Sequence, residues 1–237
     1  MIGTLFLFLY WPSFNGALAI GMAQQRSCIN TLLSITGSTL VAVYVSRAVL
    51  GKIDMEVMLN ATLAGGVVMG ASCDLITNPG FAMLTGCIAG AISALGFLKL
   101  NKIFKEKIGL HDTCGVHFLH ALPALLGGFT SVICCAAAEY NFGSKEQLVV
   151  VIPHMVDRTA AKQAKINLAC MAITFGIAVL SGLIAGFIAS RLPHPPRLFD
   201  DSVHFHEVEF GDDTSKYNTG HAEAGHAEAG EVELKQH

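Results

Sequence analysis

The sequence predicts an all-α, polytopic membrane helix bundle of about six transmembrane helices, and three observations carry that prediction. Of 237 residues, 52% are hydrophobic and only 14% are charged, against about a quarter charged in an average soluble domain. Mean hydropathy is +0.53. The apolar residues also gather into six runs, 1–19, 27–48, 57–76, 80–100, 115–138 and 166–190, each near the roughly 20 residues that cross a bilayer. The runs are continuous rather than alternating, a helix pattern and not that of barrel strands.

The first run, within "MIGTLFLFLYWPSFNGALAIGMA", has no basic stretch and no small-residue cleavage site ahead of it, so no separate signal peptide is predicted. It reads as the interior of a longer protein. Pro12 is placed to kink it. Trp11 and Phe14 fit an interfacial aromatic belt or helix packing, while Phe14 also fits a hydrophobic constriction in a pore. The second run carries only Arg47, near its end. The third, fourth and sixth are punctuated by small residues, with Gly86-x-x-x-Gly90 and Gly182-x-x-x-Gly186 spaced for close helix contact in lipid. The fifth opens on "CGVHFLHALPALLGG", with His117 and His120 three residues apart.

If the helices alternate, Arg47, Lys52, Lys99, Lys102, Lys105, Lys107, Arg191 and Arg197 share one side. Arg26, Lys145, Arg158, Lys162 and Lys165 share the other. The positive-inside rule then places "KLNKIFKEK" and the C-terminal tail in the cytoplasm, with the first run passing from inside to outside. Residues 1–191 form the transmembrane domain. Residues 192–237, after "RLPHPPRLFDDS", are acidic and His-rich with a tandem "GHAEAGHAEAG", the composition of a disordered solvated tail. Its histidines also suit loose transition-metal binding.

A net charge of −3 gives no basis for nucleic-acid binding. The seven cysteines show no C-x-x-C spacing and lie mostly in apolar runs, as small residues buried at helix contacts do. No nucleophile–base pair, phosphate loop or complete metal site is present, so no enzyme activity and no cofactor are predicted.

Polar residues inside membrane segments are the functional candidates. They are Asn15 and Trp11 in the first run, Asn60 and Asp74 bracketing the third, His117 and His120 opening the fifth, and Asp54 just before the third. A neutral imidazole both donates and accepts a hydrogen bond. His120 therefore suits either the wall of a pore for a neutral hydrogen-bonding solute or a bond to a neighbouring helix carbonyl. In an α-helix His117 shares nearly the same face. A zinc pair lacks a third ligand at motif spacing, and H-E-x-x-H is absent.

Three stretches, "MIGTLFLFLYWPSFNGAL", "NATLAGGVVMGASCDL" and "HDTCGVHFLHALPALLGG", together resemble the carboxyl-terminal half of Rh glycoproteins, of the ammonium transporter (Amt/Mep/Rh) superfamily. The resemblance covers roughly residues 1–190. It implies the second half of an eleven- to twelve-helix inverted-repeat fold, assembled as a homotrimer in a lipid bilayer, in the plasma membrane, conducting ammonium or ammonia and possibly carbon dioxide. His120 matches the second histidine of the family's pore-lining pair, and Phe14 matches a phenylalanine gating the outer vestibule. Asp54 and Asn60 fall in a stretch near the permeation half-site, and His117 at a variable neighbouring position. Ala121 departs from the usual glycine after the pore histidine. The first histidine and second phenylalanine belong to the other half of the repeat, so the chain reads as a fragment, a truncated gene product or a short isoform. In the transport mechanism so implied, ammonium loses its proton at the outer vestibule and neutral ammonia passes along the histidine wall. The alternative is an Rh-like scaffold or assembly subunit that does not transport.

Overall fold

The computed structural model describes residues 1–112 and 114–193. Every regular element among them is helical: α1 (Ile2–Asn15), α2 (Met22–Leu50), α3 (Met55–Val68), α4 (Pro79–Leu95), α5 (Asn101–Ile108), α6 (Leu122–Ala136), α7 (Ala138–Asn141), α8 (Lys145–Val151) and α9 (Ala160–Ala189). Two π turns, Gly96–Leu100 and His117–Ala121, and one 3-10 turn, Pro153–Val156, complete the series. The chain is the predicted polytopic helix bundle. The tail expected over 192–237 lies, from residue 194 onward, outside the described residues.

All six apolar runs become helical, but not equally. Met22–Leu50, Pro79–Ile108, His117–Ala136 and Ala160–Ala189 are long and apolar enough to cross a membrane. The helices α1 and α3 have only 14 residues each. Pro12 lies one turn from the end of α1, and its missing N–H weakens helix continuation. In the third run the helix stops at Val68, although the apolar sequence continues to Ile76.

That unwound stretch is held by the helix packed beside it. Asn30 Nδ2, buried in α2, donates to the carbonyls of Cys73 (2.8 Å) and Ile76 (2.7 Å). Arg26 Nε donates to the Asp74 carbonyl at 2.8 Å, and its guanidinium lies 5.2 Å from the Phe142 ring. Non-helical backbone is tolerated at membrane depth where protein groups replace water. Asn78 then caps α4, accepting from the Gly80 amide at 2.8 Å, with Pro79 at the first helical position.

The centre of the bundle is the seam where α2 meets both α3 and α4. It is closed by glycines and hydroxyls rather than large side chains. A Cβ on Gly86 or Gly90 would collide with the α2 backbone at Ser34 or Ser38, and one on Gly65 would come within 2.8 Å of Ile35 Cα. The same serines donate across the seam to α3, Ser34 Oγ to the Gly65 carbonyl at 2.7 Å and Ser38 Oγ to the Ala61 carbonyl. The seam therefore combines close backbone approach with interhelical hydrogen bonds, the two contacts that hold helices together where lipid supplies no hydrophobic drive.

At its first turns α9 is joined to α6. Asn167 Nδ2 donates to Ser131 Oγ (3.0 Å) and Cys135 Sγ (3.2 Å), and Met171 covers Gly128. Beyond Met171 the helix is exposed. Cys73, Cys134 and Cys135 are buried, and Cys28 and Cys87 half-buried, as expected of contact residues; Cys114 and Cys170 are exposed instead.

Candidate functional site

The two histidines sit on a π turn, not on regular α-helix. Wider i→i+5 bonding recurs at functional sites because it re-aims side chains that an α-helix would stack. Here it separates the pair. His117 is half-buried in an aromatic cluster, 5.1 Å from the Phe118 ring and 5.7 Å from Phe104. His120 is exposed. The shared face expected of an α-helix is lost because three residues cover less of a π turn than of an α turn.

Three contacts fix this turn. The Asp112 carboxylate accepts from the amides of Val116 (3.0 Å, Oδ1) and His117 (2.8 Å, Oδ2), satisfying two of the donors left open at a helix start. Phe118, fully buried, packs against Gly96 of the other π turn. Phe97, from that same turn, lies against Gly115, whose φ of +64° suits glycine. The two π turns thus interlock, each phenylalanine occupying the space a Cβ on the other segment's glycine would take.

The second candidate, Phe14, is held by a comparable device on α1. Its ring meets Trp11 edge-on at 5.6 Å, and the Trp11 indole lies on Gly66 of α3, where an added Cβ would come within 2.6 Å of the ring. Asn15 Nδ2 donates to the Gly66 carbonyl (3.0 Å) and to Thr31 Oγ1 (3.2 Å), fixing the end of α1. The Trp11 Nε1 is buried and has no hydrogen-bond partner among the described residues. Phe14 itself is 73% exposed.

Both α1 and the histidine turn pack on α3, so Phe14 and His120 stand on two elements fixed to one helix. No ring contact or hydrogen bond joins them among the described residues. Asn60 is half-buried on α3. Asp54 is its N-cap, with Oδ1 accepting from the Val57 amide at 3.1 Å and its own N–H donating to Ser46 Oγ at 2.8 Å. No group of three or more His, Cys, Asp or Glu able to hold a metal occurs among the described residues.

Asn30, Asp112 and Asn167 escape a reading by hydropathy. Asn30 and Asn167 lie inside runs that stay apolar on average, and their partners are tens of residues away. Asp112 carried a local signal, a carboxylate four and five residues ahead of the amides it caps.

His120 and Phe14 are thus both exposed, on two elements that pack against the same apolar helix α3. Residues 1–208 match the Ammonium Transporter Family, and the chain belongs to that family. It is 41% identical to ammonium transporter Rh type B of Takifugu rubripes over 86% of this chain and 46% of the relative. Against ammonium transporter Rh type C it is 39% identical in Gasterosteus aculeatus (88% of this chain, 45% of the relative) and 37% in Homo sapiens (88% and 46%). The solved structure of the Nitrosomonas europaea Rh50 channel superposes with a TM-score of 0.67 at 31% identity, covering 98% of this chain and 53% of that one. The chain spans about half the length of the curated relatives it matches.

Proposed function

We propose that this chain contributes the carboxyl-terminal half of an Rh-type pore for ammonium or ammonia. The observation that carries the reading is His120: an imidazole left exposed among apolar residues while every neighbouring contact of its turn is fixed. An imidazole on a turn whose backbone is held in place can both donate a hydrogen bond to a neutral solute and accept one from it. An unpaired cation in a low-dielectric passage is penalised heavily. Ammonium therefore gives its proton to water of the outer vestibule beside Phe14, ammonia passes along the His120 wall, and water on the inner side returns a proton to it. Carbon dioxide is a second neutral solute for the same path. His117, shielded by Phe104 and Phe118, and Asp54, engaged as a cap, act as supports; Asn60 is a polar neighbour. The resemblance supports a homotrimer in the plasma membrane, and the distribution of lysines and arginines supports a cytoplasmic tail.

The test is ammonia flux in vesicles carrying this chain joined to the amino-terminal half of an Rh-type relative, and in vesicles carrying the chain alone. The joined protein is expected to conduct, with His120→Ala lowering flux roughly tenfold at equal protein level, about 1.4 kcal/mol of barrier. Unchanged flux removes His120 from the path. Stable assembly without flux in either preparation supports the scaffold reading instead.

A further inference from the structure

The short helix α5 turns only two side chains inward. Asn101 and Phe104 are half-buried, while its other six residues are exposed. Three residues apart, the two share one helix face, and both reach the histidine turn. Asn101 Nδ2 donates to the Asp112 carbonyl at 3.3 Å, and the Asp112 carboxylate caps that turn. Phe104 touches the turn itself, its ring 5.7 Å from His117 and 5.6 Å from Phe118. His117 and Phe118 meet edge-on at 5.1 Å. The three rings therefore close a triangle, each pair within the range where aromatic rings attract.

The Asp112 cap and the two phenylalanine–glycine contacts hold the backbone of the turn. Phe104 bears on its side chains. Phe118 is fully buried, with Gly96 on one side and the Phe104 ring against it from α5. The turn is one unit of five residues, His117–Ala121, closed by the Leu122 amide donating to the His117 carbonyl. A roll that swings His117 out of the ring cluster carries His120 with it. Removing the Phe104 ring takes away the surface on which His117 and Phe118 both rest.

We infer that Phe104 is a positioning residue: its ring, backing His117 and Phe118, sets the direction in which the turn presents the His120 imidazole. The consequence for flux rests on the proposed role of His120 as pore wall; the orientation itself is measurable without flux.

The experiment treats the purified full chain in detergent with diethyl pyrocarbonate, which acylates accessible imidazole, and reads the rate at each histidine by peptide mass spectrometry. Phe104→Ala is expected to raise the rate at His117 roughly fivefold and to change that at His120 by about twofold or more, as local release of the turn requires. His154, exposed on the 3-10 turn, should be unchanged. Phe104→Tyr keeps the ring and should restore both rates. Should Phe104→Ala lose helicity, Phe104→Leu, apolar but without the ring, is expected to shift both rates in the same direction. In the joined protein used for flux, Phe104→Ala should lower ammonia flux roughly threefold per folded protein, as a small misplacement of a working group does. It should also alter the ratio of methylamine to ammonia flux, whereas a simple loss of folded protein scales both solutes alike. Faster labelling of His117 with His120 unchanged overturns the proposal, because Phe104 would then only cover His117. Unaltered rates in Phe104→Leu overturn it too, since bulk alone would suffice. Unchanged flux in His120→Ala overturns the pore reading instead, and the labelling rates then decide the role of Phe104 by themselves.

Discussion

Gly86-x-x-x-Gly90 and Gly182-x-x-x-Gly186 have the same spacing in the sequence, yet α4 and α9 use their glycines in opposite ways. In α4, Gly86 and Gly90 admit the backbone of α2 into the space a side chain would fill. In α9, a Cβ added at Gly176 or Gly182 meets nothing within 4 Å. The spacing permits close approach; it does not cause it. What turns permission into contact in the α2–α3–α4 seam is the second ingredient, buried hydroxyls at Ser34 and Ser38 that bond α3 carbonyls. Past Met171, the hydroxyls of α9 are those of the exposed Thr174 and Ser181, and Ser181 bonds its own helix at the Ala178 carbonyl.

The sharpest way to break the comparison is to give both helices the same methyl group. Gly86→Ala should destabilise the bundle by about 3 kcal/mol or more, because the obstruction is α2 backbone and cannot swing aside. Thermal unfolding in detergent, followed by helical circular dichroism, checks this. A loss below about 1 kcal/mol would mean that the seam opens freely, and the distinction between the two helices would weaken.

The next effect falls on the hydrogen bonds at one end of the seam. Asn30→Ala leaves the carbonyls of Cys73 and Ile76 without their donor, at a cost of about 2 kcal/mol. Asn30→Asp, of equal size but without donors, should be no better. Retention of full stability by Asn30→Asp would show that packing, not donation, holds the unwound stretch. Either outcome is read from the same unfolding curves.

The helical class and all six helical segments were legible because hydropathy averages over whole runs, and averaging suffices to mark what lies in lipid. The early stop of α3 was not, since Met69 to Ile76 are small or apolar except for Asp74, and the carbonyls freed there are met by Asn30, more than forty residues upstream. The site divides similarly. His120 and Asn15 stood out as residues foreign to lipid, Phe14 only as an aromatic beside a proline, and the resemblance singled out His120 and Phe14. The different surroundings of His117 and His120 depend on a π turn whose cause is the Gly96–Phe118 and Gly115–Phe97 interlock. Nothing in the histidine spacing itself encodes that. Arg26 counted as a loop charge for orientation, yet its guanidinium is spent on the Asp74 carbonyl and the Phe142 face.

The smallest expected effect is also the one that says most about α9. Gly182→Ala adds a methyl group to open space and removes a poor helix former, so stability should hold or rise by up to about 1 kcal/mol. The curated relatives are about twice as long, so a joined protein is the informative host. If Gly182→Ala is harmless in the chain alone but costs about as much as Gly86→Ala once an amino-terminal half is joined, α9 is a seam waiting for its partner. The two glycine pairs would then differ in occupancy and not in kind. If it is harmless in both, the spacing in α9 has no packing role, and its glycines lie against lipid.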